Sequence, residues 1–160
     1  MKCTEYKKHY DKYSKLPLHK DIWDTPHWNE WMGHLNSCNK CSDWTLAKRI
    51  ISRKKNPNDF PCVHIGEQVT RKCKQHKDPT NCSDIMISYF PKFDEYSITK
   101  LGSDVVIKYC PWCGVKLPCS KRNMWFAKLK RLGFEDPIIE NIPKEFKSNL
   151  WFKRRKRKHV

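Results

Sequence analysis

Residues 73–114 begin with C-K-Q-H-K-D-P-T-N-C (Cys73–Cys82) and end with C-P-W-C-G (Cys110–Gly114), and these two cysteine motifs organise the chain. Two thiolates two residues apart can both reach one tetrahedral metal ion, and Gly114 allows the backbone to turn tightly beneath it. A knuckle of this kind supplies only two ligands, so a second pair must come from elsewhere. Cys73 and Cys82 are the nearest in sequence, and His76 between them is the substitute if one cysteine is not used.

A β-hairpin is predicted between these two motifs. Ile85–Phe90 is rich in β-branched and aromatic residues, and Phe93–Ile98 could continue its pairing beyond Pro91. After a bend at Leu101–Asp104, the returning strand Val105–Tyr109 leads directly into the knuckle. A strand that runs into a knuckle is typical of zinc ribbons. We therefore predict an α+β fold with a small zinc-ribbon-like β-hairpin core and flanking helices, held together by metal. One zinc ion of this core would be bound by Cys73, Cys82, Cys110 and Cys113.

A second set of candidate ligands lies upstream, in H-L-N-S-C-N-K-C (His34–Cys41). A helix is predicted to begin at Thr25 and Pro26, because threonine is a good N-cap and proline fits the first helical position. His34 and Cys38 are four residues apart and would share one face of that helix, while Cys41 would follow at the next turn.

The fourth ligand of this second site is predicted to come from F-P-C-V-H-I (Phe60–Ile65). Alternate residues of a strand point to the same face, so Cys62 and His64 could both approach one metal ion. Cys62 is preferred because structural zinc sites are rich in thiolate, and His64 is the alternative. The sequence thus predicts two zinc ions, with Cys3 and Cys119 as spare thiols.

Nine cysteines suit either a secreted disulfide framework or metal binding in a reducing compartment. Their odd number and the two C-x-x-C pairs favour metal. The first residues, MKCTEYKKHYDKY, contain no apolar segment typical of a secretory signal. No apolar run approaches the roughly 18 residues of a membrane helix. We therefore expect a cytoplasmic, intracellular protein without a membrane partner.

The chain divides by composition into four parts. Residues 1–21 are predicted to be a loosely ordered lead-in with a short helix, residues 22–59 a helical H-x3-C-x2-C segment, and residues 60–152 the zinc-ribbon-like domain. A helix from about residue 42 to 53 and another from 121 to 132, capped by Ser120 and closed by Gly133, flank the sheet. Residues 153–160 would form a disordered basic tail.

The chain carries a formal net charge of +16, which favours anionic partners, with nucleic acid ahead of an acidic protein surface. Phosphate contacts are predicted for the basic end of the second helix and for the tail. The residues concerned are Lys48, Arg49, Arg53, Lys54, Lys55, Lys153, Arg154, Arg155, Lys156, Arg157 and Lys158. Solubility alone is the plainer explanation of so many lysines.

The sequence also resembles a known family. The motifs that carry the resemblance are, in order, K-C-K-Q-H-K-D-P-T-N-C, K-F-D-E-Y, Y-C-P-W-C-G-V-K-L-P, S-K-R-N-M-W-F-A-K-L-K-R-L-G-F-E-D-P and I-P-K-E-F-K-S. Over residues 60–152 the chain resembles a family of short bacterial and phage proteins known only as a domain of unknown function. This resemblance implies a metal-binding cysteine core and no established activity. The basic tail, Gly66 and Cys119 depart from the family pattern.

Three classes of function remain open. The charge favours a zinc-stabilised protein that binds nucleic acid with weak sequence preference. The alternative is a protein-binding regulator or inhibitor, for example phage-encoded, that acts on an acidic surface of a host protein. An enzyme would need an open metal position or a carboxylate cluster. Only Asp94 and Glu95 are adjacent carboxylates near the knuckle, so we expect no catalysis.

Overall fold

Two units, Met1–Pro57 and Asn58–Val160, make up the computed structural model. It describes residues 1–15, 18, 20–73, 75–76, 82, 85–100 and 103–153. The first unit contains, in chain order, α1 (Cys3–Lys8), α2 (Tyr10–Tyr13), α3 (Pro26–Ser37) and α4 (Asn39–Ser52). The second contains α5 (Val63–Thr70), β1 (Ile87–Phe90), β2 (Glu95–Lys100), β3 (Ser103–Val106) and α6 (Arg122–Arg131), together with short 3-10 turns. The predicted α+β class is confirmed.

The predicted start of α3 is confirmed. The Thr25 side chain accepts a hydrogen bond from the Trp28 backbone N–H at 3.3 Å, and Pro26 occupies the first helical position. The next helix, α4, begins at Asn39, earlier than the predicted start near residue 42. Only Cys38, with an extended backbone, separates the two helices. The helical segment therefore places two cysteines at a sharp corner.

Residues of the predicted loose lead-in belong to the core of the first unit. Tyr6 in α1 is fully buried, and its ring stacks on that of Trp31 with centroids 4.7 Å apart. The Tyr6 hydroxyl lies 2.7 Å from Thr45 Oγ1, and Trp31 Nε1 donates to the Tyr6 carbonyl at 3.0 Å. These contacts fix α1 against α3 and α4, because a buried aromatic ring stabilises a small unit strongly.

The second unit is built on an antiparallel sheet of order β1-β2-β3. Strands are confirmed within the first and last predicted runs, but β2 turns back to pair with β1 instead of continuing it beyond Pro91 as expected. Ile87 pairs with Ile98 across β1 and β2, and Ile98 pairs with Val105 across β2 and β3. A 3-10 turn, Pro91–Phe93, joins β1 to β2 and ends at Asp94, whose φ of 50° is left-handed. Asx residues tolerate this conformation better than most, so the sequence suits the tight connection.

Phe60–Ile65, predicted to be a strand that presents Cys62 and His64 on one face, is not a strand in the structure. Cys62 is extended, but it is the N-cap of helix α5, which packs beside β1. Ile65 of α5 is fully buried in a cluster with Ile87 and Leu117, and Val69 one turn later packs on the same cluster. This i, i+4 spacing is helical, so packing of the apolar face overrides the short alternating pattern.

Helix α6 and the turns after it form a separate apolar cluster in the second unit. Trp125 and Leu129 of α6 are fully buried with Phe93 and Phe146, and Trp125 Nε1 donates to the Phe146 carbonyl at 2.9 Å. The predicted glycine cap is confirmed, since Gly133 has a φ of 88° and the next residue's N–H bonds back into the last turn. Among the described residues, no helix is long and apolar enough to cross a membrane.

Candidate metal centres

One group of candidate ligands lies in the first unit and is called here the N-terminal site. Its members are Cys3, His34, Cys38 and Cys41, whose ligand atoms all lie within 4.8 Å of one another. Cys3 Sγ is 3.8 Å from Cys38 Sγ, and His34 Nε2 is 3.3 Å from Cys41 Sγ. The helix corner at Cys38 creates this convergence, because it brings the end of α3 and the start of α4 to the same point.

The thiols of the N-terminal site differ in how easily they ionise. Burial, and then the neighbouring thiols of Cys3 and Cys38, raise the pKa of Cys41 to about 12. The backbone N–H of Cys41 instead lowers the pKa of Cys38, because it stabilises that thiolate. Three sulfurs this close repel one another when ionised, so a cation among them would remove the repulsion.

A second group, called here the knuckle site, comprises Cys62, His64, Cys110 and Cys113, again with all ligand atoms within 4.8 Å. Cys110 and Cys113 come from a tight hairpin. Within it, the Cys110 N–H donates to the Val115 carbonyl and the Gly114 N–H donates to the Cys110 carbonyl, both at 2.9 Å. The φ of 69° at Gly114 is the conformation for which the sequence predicted glycine.

The other half of the knuckle site comes from a helix rather than from a second hairpin. Cys62 is the extended N-cap of α5, and His64 lies in its first turn. Burial above all, and then the thiols of Cys110 and Cys113, raise the pKa of Cys62 to about 12. The His64 ring lies parallel to that of Trp112, with centroids 6.2 Å apart. A zinc ribbon would bring together two pairs of cysteines, each pair at the end of a strand. In this site only Cys110 and Cys113 come from a hairpin, and the other two residues come from the start of a helix.

The third group, the loop site, consists of Cys73, His76 and Cys82. Cys73 Sγ lies 3.2 Å from His76 Nδ1, and Cys82 is almost completely buried. The hydrogen bond to His76, followed by bonds from backbone N–H groups, lowers the pKa of Cys73 to about 7. A thiol with this pKa is about half ionised at neutral pH, and the thiolate is the form that binds a metal.

The structure groups the predicted ligands differently from their spacing in the sequence. Cys62, predicted to complete the upstream set, lies in the knuckle site, and Cys3 takes its place in the N-terminal site. Cys110 and Cys113 lie with Cys62 and His64 rather than with Cys73 and Cys82. The cause is packing: the core contacts of Tyr6 bring α1 and Cys3 to α3, while α5 beside β1 brings Cys62 to the hairpin.

Cys3 is the candidate ligand that reasoning from the sequence missed. A signal was available in Tyr6, three residues later, because residues three apart on a helix share a face and tyrosine marks that face as buried. His64, considered only as an alternative, and His76, considered as a substitute, are both within a group. Cys119 is exposed and lies outside the groups found among the described residues, as expected for a spare thiol.

The donor sets indicate which metal fits. The N-terminal and knuckle sites each offer three thiols and one imidazole, and the loop site offers two thiols and one imidazole. Soft sulfur with imidazole and no carboxylate suits zinc, and excludes the oxygen-preferring calcium and magnesium ions. All nine cysteines are free of disulfides, so these thiols are available to a metal. Four protein ligands close a tetrahedral site, which then has a structural role.

The two carboxylates considered for catalysis have structural partners. Asp94 accepts hydrogen bonds from the Lys121 ammonium and, at 3.0 Å, from the Tyr89 hydroxyl. Glu95 is buried and accepts two bonds from the Arg122 guanidinium, at 2.6 and 3.2 Å, as well as one from Ser120. Both carboxylates thus connect the start of β2 to the start of α6.

The predicted phosphate-binding residues lie mostly at the surface. In the first unit Lys48, Arg49, Lys54 and Lys55 are exposed, whereas Arg53 at the end of α4 is half-buried. Lys153 is exposed in the second unit. The remaining predicted residues, Arg154, Arg155, Lys156, Arg157 and Lys158, lie outside the described part of the chain, as does most of the predicted tail.

Comparison with known proteins completes the description of these sites. Searches of the curated proteins and of the solved structures each found no match. A family model matches residues 59–154, which is more than half of the chain and includes the knuckle and loop sites but not the N-terminal site. Two of the three thiol groups of this chain thus lie within the matched residues, and the chain belongs to the family described as a domain of unknown function (DUF6980).

Proposed function

We propose that this protein is a small zinc-binding module that binds single-stranded nucleic acid without catalysing a reaction. The observation that carries this proposal is the surface of the knuckle hairpin. Tyr109 and Trp112 are 56% and 43% exposed there, and Lys108 and Lys116 are exposed beside them. Exposed aromatic rings next to cations on a rigid turn are the combination that binds unpaired bases and phosphates together.

The hairpin holds these side chains in a defined arrangement. Tyr109 pairs with Lys116 in an antiparallel bridge, so their side chains lie on the same face of the hairpin. Trp112 lies at the tip between the two cysteines, with one face of its ring toward His64. A bound metal would fix this tip, because two of its four ligands belong to the turn. Stacking on Trp112 would then cost little conformational entropy.

Further cations of the second unit support phosphate binding. Lys128, Lys130 and Arg131 are exposed on α6, whereas Lys121 and Arg122 are already neutralised by Asp94 and Glu95. Phosphate contacts release counterions, so affinity should fall steeply as salt increases. The described side chains include no evident arrangement for reading base edges, which fits weak sequence preference.

Fluorescence anisotropy with a labelled single-stranded oligonucleotide tests the proposal. Trp112→Ala should weaken binding about tenfold or more, because one base–aromatic stack contributes roughly 1–3 kcal/mol. Trp23→Ala, which removes an exposed tryptophan from the first unit, is the matched control and should leave affinity unchanged. Equal affinity of the wild type and Trp112→Ala, or binding that is insensitive to salt, would contradict the proposal.

We infer that the metal is zinc and that each of the three groups holds one ion. The thiolate and imidazole sets support this inference, although the spacing of the sequence predicted two ions. Native mass spectrometry of the full chain should give three zinc ions that a strong chelator removes. A stoichiometry of two, unchanged by Cys73→Ser, would show that the loop site binds no metal.

A protein-binding regulator is the second candidate. It is favoured by β3, an outer strand whose Val105 and Val106 are 61% and 45% exposed, with no further strand paired to it in the described part of the chain. Exposed strand edges bind other chains by adding a strand. A specific partner retained after nuclease treatment, and lost in Val106→Asp, would favour this function over nucleic-acid binding.

A further inference from the structure

A fourth group of side chains in the first unit has different chemistry from the thiol sites. Glu5, His9 and His27 place one carboxylate oxygen and two ring nitrogens within 4.8 Å of one another. Glu5 is exposed, and both histidines are half-buried. No cysteine takes part, so this group would prefer a different range of metals and would bind them less tightly than thiolates do.

Local structure brings these three residues together. Glu5 lies in the first turn of α1, and His9 is the C-cap four residues later, with its N–H donating to the Glu5 carbonyl at 3.2 Å. This i, i+4 spacing puts the two side chains on the same face. His27 is the second residue of α3, and its Nε2 lies 3.7 Å from a carboxylate oxygen of Glu5. The His9 and His27 ring centroids are 4.7 Å apart. The packing of α1 on α3 therefore places both imidazoles beside one carboxylate.

Tyr13 fixes the orientation of His27. The buried Tyr13 hydroxyl lies 2.6 Å from His27 Nδ1, which leaves Nε2 facing Glu5 and His9. In metal sites a ligating histidine commonly donates its other ring N–H to a second group, which holds the ring and its tautomer. Tyr13 is in the position of that second group. An ion pair between Glu5 and protonated His27 would not require His9.

We propose that Glu5, His9 and His27 form an open site for a divalent cation such as zinc, cobalt or nickel. Two imidazoles and one carboxylate are the protein ligands of several open metal sites, in which water or an exogenous ligand occupies the remaining position. A cavity of about 340 Å³ adjoins the group and is lined by His9, Tyr13 and His27 together with Lys12, Asp21, Ile22 and Thr25. It has room for the exogenous ligand.

The inference is independent of nucleic-acid binding and goes beyond the three thiol sites. Isothermal titration of Zn²⁺ into the full chain, with its thiol sites already loaded, should detect one additional ion. His27→Ala and Glu5→Gln should abolish this binding while the thiol-bound ions remain. Asp11→Asn, which removes a carboxylate from α2 outside the group, is the matched control and should bind as the wild type does.

Two further measurements separate the site from nonspecific binding. Tyr13→Phe should weaken the additional ion about 10- to 100-fold, the usual effect of losing a group that orients a ligand. Co²⁺ at this position should show no sulfur-to-cobalt charge-transfer band. His9→Gln serves if His27→Ala fails to fold. Absence of an additional ion, or its retention in both histidine variants, would overturn the proposal and leave a simple ion pair of Glu5 with His27.

Discussion

At the scale of single residues, the bond between the buried Glu95 carboxylate and the Arg122 guanidinium makes the fold sensitive to pH and to mutation. Glu95 is 2% exposed, and burial raises its pKa. The hydrogen bonds from Arg122 and Ser120 outweigh burial and bring the pKa of Glu95 below its ordinary value. At pH values above the pKa that Glu95 has in the unfolded chain, the pair therefore stabilises the fold. This stabilisation is lost as the pH falls through the lower pKa that Glu95 has in the folded protein.

Removing the Arg122 cation should destabilise the fold more than removing the charge of the Glu95 carboxylate. Arg122→Met leaves a buried charge without its partner and should cost about 2–4 kcal/mol in the free energy of unfolding at pH 7. Glu95→Gln should cost less, because the Arg122 side chain is 41% exposed and can turn to solvent. Chemical denaturation of zinc-loaded protein measures both. The matched control is Lys130→Met, which removes an exposed cation from the same helix.

In the Arg122→Met variant, the contribution of Glu95 to stability should change with pH in the opposite direction to that in the wild type. Without Arg122, burial dominates and the pKa of Glu95 rises above its unfolded value, so protonation relieves the cost. The deficit relative to the wild type should therefore shrink between pH 7 and pH 5. Loss of zinc on acidification affects both proteins and cancels in this difference. A deficit that grows on acidification would contradict this account.

At the scale of elements, the knuckle hairpin depends on the left-handed backbone of Gly114. A Cβ atom at this position would meet no atom within 4 Å, so the cost of a side chain is conformational alone. Gly114→Ala should destabilise the zinc-loaded second unit by about 1–2 kcal/mol. Gly33 in α3 has equal space and no positive φ, so Gly33→Ala should stabilise its helix by up to about 1 kcal/mol.

Thermal unfolding of the two glycine variants measures this contrast. The two substitutions add the same methyl group, so a difference in sign isolates backbone conformation from packing. Gly114→Asn should fall between the wild type and Gly114→Ala, because asparagine tolerates the left-handed region better. If Gly114→Ala were as stable as the wild type, the hairpin would not need the conformation seen here.

The packing of α1 places Cys3 in the N-terminal site, and the packing of α5 places Cys62 in the knuckle site. Replacing either cysteine tests this assignment. Cys3→Ser should release the ion of the N-terminal site and leave the knuckle site loaded, and Cys62→Ser should do the reverse. Native mass spectrometry counts the ions, and limited proteolysis identifies the unit that becomes susceptible. Cys119→Ser is the matched control. If Cys62→Ser instead loosened residues 22–57, the ligand set predicted from spacing would be the correct one.

At the scale of the whole molecule, metal is expected to replace much of an apolar core. The described part contains three separate buried clusters, centred on Trp125, Ile65 and Tyr6, rather than one continuous interior. Small clusters bury little apolar surface, so we expect these three to offset only part of the entropy of ordering the chain. Structural zinc supplies about 10–16 kcal/mol in small zinc-dependent domains.

Removing metal should therefore unfold both units. Excess chelator at pH 7 should abolish the near-ultraviolet circular dichroism of the buried tryptophans and greatly reduce the helical signal. Added Zn²⁺ should restore both signals, and Mg²⁺, which prefers oxygen ligands, should not. A chelated chain that keeps a cooperative thermal transition at the temperature of the untreated protein would show that the apolar clusters suffice without metal.

The sequence by itself determined the features that depend on neighbours within one or two turns. These are the α+β class, the runs of residues that form strands, the capped start of α3 at Thr25, the glycine end of α6 and the C-x-x-C hairpin closed by Gly114. Each depends on a local cap, turn or side-chain periodicity, so the residues within a few positions of it are sufficient.

Only the tertiary structure decided which ligands share a site. Cys3 meets Cys38 across 35 positions because Tyr6 is buried against Trp31, and Cys62 meets Cys110 because α5 packs beside β1. In the sequence every cysteine is the same type of ligand, so residue type does not distinguish one grouping of the ligands from another. The grouping of the ligands depends on the buried side chains that bring distant elements together. The spacing of the cysteines along the chain does not report those contacts.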